Sequence, residues 1–367
     1  MAGLPPVAPR FLHAVAAGSL WLACGALAAA GQGDGAAPGG PGAAPSAPAA
    51  PQHDEVAGWI ARLDQDRRKG SYSGTFVMSS ANGSMSSGRI WHVCDGERQV
   101  VERIETLTGA PRSTFRRNDQ VVTFLPDQRL VRVERRDALG VFPHMARIGA
   151  PAIAAHYAVQ RIGGERVAGH EADVLHFQPR DALRFGYRVW SERRTGLAVM
   201  LQTLDSGGRV LDQAAFSALD FNAPVKAEPL LRMMADTAGY RVERVPEAAR
   251  TTPAREGWAL QAPVDGFETV NCLLRPGPAA ALPGGAAPAG AAVHGGGMQW
   301  TLSDGLATVS LFIEPFDPQR HGPPAQAAMG ATQTLARRVA GDWWVTAVGE
   351  VPMSTLRIFA DRLERRR

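Results

Sequence analysis

Cysteine is scarce in this chain, with three among 367 residues, and neither a CxxC nor a paired Cys/His spacing suggests a metal centre. HEXXH, Walker A and GxGxxG patterns are also missing, which removes the zinc-protease, phosphate-loop and dinucleotide readings. The nearest approach to a catalytic motif is GSYSG at 70–74, where Tyr72 stands in the place a nucleophilic serine must occupy. No helix dense in lysine and arginine occurs, and 39 basic residues are nearly balanced by 35 acidic ones. The formal charge of +4 favours anionic partners only weakly and argues against nucleic acid. These absences leave a binding protein without a cofactor or a metal as the expectation. An enzyme would need a clustered polar site that the sequence does not display.

One long apolar run is present, Phe11 to Ala30, preceded by Arg10 and ending in small residues. It reads as an export signal with small-x-small cleavage sites at Ala26–Ala28 and Ala28–Ala30. An uncleaved anchor is the alternative, since about 20 residues span a bilayer. A lipoprotein reading through Cys24 is opposed by Trp21, which stands where leucine is usual. The expected mature chain is soluble and exported to the periplasm. Export permits a disulfide between Cys94 and Cys272, and two unpaired thiols are the other reading. Residues 31–53 are Gly, Ala and Pro with little to bury, as in a disordered tether.

The expected organisation is a signal at 1–30, the tether at 31–53, a first domain at 54–222, a linker at 223–256 and a second domain at 257–367. Trp59, Ile60 and Leu63 predict a helix before Gly70. From Tyr72 to Phe221 short runs rich in Val, Ile, Phe, Tyr and Trp alternate with turn residues. Asn82-Gly83, Asp95-Gly96, Asn118-Asp119, Gly163-Gly164 and Thr195-Gly196 mark the expected connections. That pattern predicts an antiparallel meander, curved or closed to limit its edges. DALGVFPHMARIGAPAIAAH at 137–156 interrupts it, either as a lid or partner loop or as a helix packed on the sheet. Leu230, Leu231, Met233 and Met234 predict a short helix in the linker. The second domain combines strands, an Ala/Pro/Gly insert at 276–297 expected to be disordered, and a terminal helix burying Leu356, Phe359 and Leu363.

Two features suggest binding. LAVMLQTL is apolar on both faces, with Leu197, Val199 and Leu201 on one and Ala198, Met200 and Leu204 on the other. A strand wet on one side alternates more cleanly, so either a helix covers the second face or the sheet wraps an apolar cavity. Leu197, Val199, Met200 and Leu201, with Trp190 and Phe124, are therefore the candidate lipid contacts. Arg112, Arg116 and Arg117 flank Phe115, and Arg132 lies on the next hairpin with Arg129, Arg135 and Arg136. Paired strands would make Arg112, Arg116, Arg117 and Arg132 an anion-binding or partner-binding surface. The alternative is a solvated face balanced by Glu102, Glu105 and Glu134. His92 and Cys94 share a strand face but are too few for a metal site, and His170-Glu171 reads as a solvated turn.

DGERQVVERIETLTGAPRSTFRRNDQVVTFLPD and FGYRVWSERRTGLAVMLQTLDSGGRVLDQAAFSALDF resemble the first domain of the RseB/MucB family. Gly266-Phe267, SDGLATVSLFIEP and VGEVPMSTLRIFADRL resemble its second domain, and the resemblance runs from about 54 to 363. It implies an α+β, β-rich fold. A large N-terminal curved antiparallel sheet or half-barrel, like LolA/LolB lipoprotein carriers, would carry covering helices. A smaller mixed α/β C-terminal domain would follow. The resemblance further implies a non-enzymatic periplasmic regulator of sigma-E (AlgU-type) activity. It would bind the periplasmic domain of an RseA/MucA-like anti-sigma factor, shield it from proteolysis and respond to lipid or lipopolysaccharide-type amphiphiles. It makes a homo-oligomer a further expectation. A periplasmic lipid or lipoprotein carrier is the competing reading. The long insert departs from the family pattern and leaves the local geometry of the second domain open.

Overall fold

Alternating branched and aromatic residues separated by tight turns build sheets. The computed structural model describes residues 58, 70–94, 100–135, 150–275 and 296–366, which belong to one compact unit. The first lobe opens with β1 (Ser71–Ser80), β2 (Met85–Cys94), β3 (Val100–Thr106), β4 (Ser113–Arg117), β5 (Gln120–Leu125) and β6 (Leu130–Arg135). Helix α1 (Ala150–His156) leads into β7 (Tyr157–Val167), β8 (His170–Pro179), β9 (Gly186–Glu192), β10 (Ala198–Leu204) and β11 (Val210–Asp220). Helix α2 (Ala227–Ala235) and β12 (Arg241–Arg244) follow. One 12-stranded open sheet results, in the order β12-β6-β5-β4-β3-β2-β1-β11-β10-β9-β8-β7. Two meanders, β1–β6 and β7–β11, meet where β1 pairs antiparallel with β11. The antiparallel expectation holds except for β12, which pairs parallel with β6 and brings part of the stretch read as linker into the sheet.

Helix α2 is held by burial of one stripe. Leu230 packs with Val93 and Val101, and Met234 packs with Phe115, Val122, Phe124 and Val131. Those partners lie on one face of β2–β6, because side chains alternate along each strand. A second cluster takes Ile153 from α1 with Tyr157, Val159, Leu175, Phe177, Tyr187 and Val189. A third draws Phe76, Ile90, Val174, Trp190, Val199 and Phe216 from six different strands.

The second lobe contains β13 (Ala249–Arg250), β14 (Trp258–Leu260), β15 (Glu268–Arg275), β16 (Gly297–Ser303) and β17 (Thr308–Pro315). It continues with β18 (Ala325–Met329), β19 (Thr332–Val339), β20 (Trp343–Gly349), helix α3 (Met353–Arg362) and β21 (Leu363–Arg365). Its seven-stranded sheet has the order β13-β15-β16-β17-β20-β19-β18, and β14 pairs with β21 beside it. Pro352 stands at the N-cap of α3 without a side-chain cap, and Leu356 and Phe359 are buried as expected, while Leu363 is buried one residue past the helix, at the start of β21.

Two expectations are corrected. Gly163-Gly164 is not a turn: β7 runs through it with a register break between Arg161 and Gly163, and the chain reverses at Ala168-Gly169. His170 is not simply solvated, since its Nε2 lies 2.9 Å from the Leu219 carbonyl and its ring meets Phe221 edge-on. No disulfide joins Cys94 to Cys272, which is the second of the two readings left open by the sequence. The signal, the tether, the helix before Gly70 except residue 58, the Asp95-Gly96 turn, the stretch 137–149 and the insert up to 295 lie outside the described residues.

Candidate functional site

A bulge decides how the doubly apolar strand is used. The pairing of β10 with β9 skips a residue between Ala198 and Met200, so strict alternation fails there. Val199 and Met200 consequently join the same cluster as Trp190 and Leu197, whereas Ala198 and Leu201 pack against the cluster containing Ile153 and Tyr187. The faces assigned from alternation are corrected accordingly. Trp190, Leu197 and Val199 are buried at 4%, 8% and 0% exposure, and the Trp190 indole N–H donates to Glu165 Oε2 at 2.9 Å. Met200 and Leu201 are half-buried. Phe124 stands apart in a third cluster beneath α2, edge-on to Phe115 and Tyr240.

Pairing register likewise separates the arginines. Arg116 and Arg132 share one face of the sheet but sit on β4 and β6, with β5 between them. Arg117 points to the opposite face, and Arg112 is exposed in the turn before β4. Arg132 faces Glu243 at 3.6 Å. Arg116 is only 12% exposed, and its Nε donates to Glu102 Oε2 at 2.7 Å.

That last contact belongs to a ladder that no motif announced. Cross-strand pairing sets Tyr72, His92, Glu102 and Arg116 side by side across β1–β4. Tyr72 stacks on His92 with ring centroids 4.8 Å apart, and His92 Nδ1 donates to Glu102 Oε1 at 2.9 Å. Burial alone would raise the Glu102 carboxyl, but hydrogen bonds from His92 and Arg116 outweigh it and hold the pKa at about 2. Glu102 is therefore not part of a solvated balance of charge. The signal that could have found the ladder is pairing register, which requires knowing which strands are neighbours.

A second polar group forms the seam between the lobes. Asp304, in the turn after β16, is fully buried. Its Oδ1 accepts from the backbone N–H of Leu306 and Ala307 at 2.9 and 2.7 Å. Its Oδ2 accepts from the Tyr157 hydroxyl and from Arg184 Nη1, both at 2.9 Å. Arg184 also donates to Asp181 Oδ1 at 3.0 Å and to the Asp265 carbonyl at 2.7 Å. Burial pushes the Tyr157 and Tyr187 hydroxyls well above the usual tyrosine range, which keeps both neutral at the seam. Around this centre the lobes exchange side chains. Leu306 packs into the first lobe's cluster, Leu183 packs into the second lobe's core, and Thr355 donates to the Leu183 carbonyl at 2.8 Å.

Metal-capable groups of His156, Asp181 and Asp265 also converge here, their ligand atoms within 4.8 Å of one another. Asp181 Oδ1 is already bonded to Leu183 N–H and Arg184, and that guanidinium opposes a cation beside it. The seam is thus built for positioning two lobes. Neither it nor the ladder presents a nucleophile with an activating base.

Known proteins share this two-lobed arrangement. The family model described as MucB/RseB N-terminal domain matches residues 55–234, and that described as MucB/RseB C-terminal domain matches residues 252–364. The chain is 30% identical over 317 residues to the sigma factor AlgU regulatory protein MucB of Pseudomonas aeruginosa, covering 83% of this chain and 90% of that protein. It is 23% identical over 296 residues to the sigma-E factor regulatory protein RseB of Haemophilus influenzae, covering 78% and 83%. The crystal structure of MucB in complex with MucA(peri) superposes with a TM-score of 0.63 at 27% identity, covering 85% of this chain and 99% of that one. A Pseudomonas aeruginosa MucA/MucB complex gives 0.64 at 26% identity, with the same coverage of 85% and 99%.

Proposed function

This chain belongs to the MucB/RseB family, and from that premise we propose that it regulates a sigma factor by binding the periplasmic part of an anti-sigma factor. The observation that carries this reading is the likeness, across both lobes, to MucB in complex with the MucA periplasmic segment. No helix among the described residues is long and apolar enough to cross a membrane. The protein acts in the periplasm and without catalysis, a reading supported by its family of regulatory proteins.

Two ligands act in opposition. The second lobe and the junction between the lobes hold the anti-sigma segment and keep it from regulated proteolysis. A lipid or lipopolysaccharide-type amphiphile enters the first lobe at the Trp190, Leu197, Val199 and Met200 cluster and loosens that hold. Those side chains already pack against one another, so an acyl chain must displace them and thereby favours a different conformation of the first lobe. Such a preference is what coupling requires, and the coupling must be reciprocal.

The test is a titration of the mature protein with the periplasmic segment of the anti-sigma factor from the same organism, with and without a lipid A-like amphiphile. Micromolar or tighter binding that the amphiphile weakens is expected. Unchanged affinity at saturating amphiphile would remove the coupling. Amphiphile uptake without any binding of the segment would point to a carrier.

A further inference from the structure

A sheet edge exposes unpaired N–H and C=O groups, and proteins protect such edges with charge, bulges or brevity. Three of the four ends of the two large sheets are protected in these ways. Strand β12 carries Arg241, Glu243 and Arg244. Strand β7 carries Arg161, Glu165 and Arg166 and is broken in register at Gly163. Strand β13 is two residues long. The fourth end, β18, has none of these devices. Its sequence AQAAM bears no charge and no proline, and all five residues are exposed. It pairs with β19 in unbroken register.

The hairpin turn tells which backbone groups are open. Gly330 and Ala331 form a two-residue connection with Gly330 at φ +59, as a type II′ turn requires at its first central position. The turn hydrogen bond makes Met329 and Thr332 a bonded pair, and bonded pairs alternate along an antiparallel ladder. Met329, Ala327 and Ala325 therefore bond to β19, while the N–H and C=O of Gln326 and Ala328 point outward. The turn is also anchored, because the Ala331 N–H donates to Asp212 Oδ2 at 2.7 Å on β11 of the first lobe. Among the described residues the edge is open, and its turn is tied to the first lobe. Beside it runs a groove of about 420 Å³ that includes Leu335, Arg337, Arg357 and Asp361. Its guanidinium groups outnumber its carboxylate. Arg357 reaches over the strand, with Nη2 donating to Gln326 Oε1 at 2.7 Å.

We propose that an extended segment of the anti-sigma partner adds to β18 as an eighth strand, bonding Gln326 and Ala328 and placing an acidic side chain beside Arg357. Main-chain bonds would supply affinity and the groove would select the segment, as in other cases of strand addition. This rests on the reading that the chain binds such a partner, and it assigns the edge that does so.

Amide hydrogen exchange on the full mature chain tests it directly, with the same organism's periplasmic segment as probe. The Gln326 and Ala328 amides should exchange fast in the free protein and slow at least roughly tenfold in the complex, while Ala327 and Met329 are protected in both. Ala328→Pro deletes an outward N–H that β19 does not use, so it should leave the melting midpoint unchanged. It should weaken partner binding roughly tenfold or more, as loss of one buried main-chain bond implies. Arg357→Glu should weaken binding and flatten its salt dependence. If the wild type binds while these amides and both variants behave as before, the edge is not the docking strand and the regulatory reading stands. A wild type that does not bind the segment overturns both. If Ala328→Pro only dissociates a self-associated form, the edge belongs to a second copy and the inference is wrong.

Discussion

At the scale of single residues, Glu102 shows how a mostly buried strand position becomes a fixed charge. Its carboxylate is held between His92 and Arg116, and its pKa lies at about 2 against an ordinary 4.5. A depressed acid contributes stability that is present above the unfolded value and is lost as pH falls through the folded one. The wild type should therefore lose stability between about pH 4.5 and 2. Glu102→Gln should flatten that part of the curve and lower stability at neutral pH by roughly 3 kcal/mol, because Arg116 is left with a neutral partner. Urea unfolding across the acid range reads both effects. An unchanged acid slope in the variant would mean that another carboxylate carries it.

Among elements, α2 tests whether the linker stretch is structural. It presents Leu230 and Met234 to the sheet and leaves Met233 39% exposed. Leu230→Ala and Met234→Ala should each cost about 2–4 kcal/mol, the range for buried truncations. Met233→Ala should stay within roughly 0.5 kcal/mol. Denaturation midpoints at constant m-value check this, and equal costs at all three positions would contradict one-sided packing. Element type was largely legible from the sequence: most strands, α2 and α3 follow from periodicity and turn residues. The bulge in β10 and the long course of β7 were not, because a bulge is fixed by pairing with a neighbour and leaves no local period.

For the whole molecule, the Arg184–Asp304 pair is the main test of how the lobes are held. Both side chains are fully buried. Removing one partner of such a pair strands a charge and costs about 3–5 kcal/mol. Asp304→Ala also removes the acceptor for Tyr157 and for two backbone N–H groups of the second lobe. Unfolding of this variant should broaden or split into two transitions, since the lobes lose the centre of their shared seam while each keeps its own core. Calorimetry decides it, and a single sharp transition shifted by less than 1 °C would show that the seam adds little. Arg184 and Asp304 lie 120 residues apart, and neither belongs to a pattern that reads as functional in one dimension.

The sequence by itself determined the β-rich class, the two-part organisation and the family resemblance, because turn chemistry, apolar periodicity and ordered motifs are local properties. It also supplied the doubly apolar run at 197–204 and the arginines around Phe115. Only the tertiary structure decided what those residues meet. Register buried Arg116 against Glu102 and turned Arg117 to the other face, a bulge redistributed Val199 and Leu201 between two clusters, and Phe124 went beneath α2 instead of beside Trp190. The open edge at β18 was invisible for the same reason, since an edge is defined by the strand that does not lie next to it. Neighbour identity across long separations follows from the packing of the whole chain, and a local reading of side chains cannot provide it.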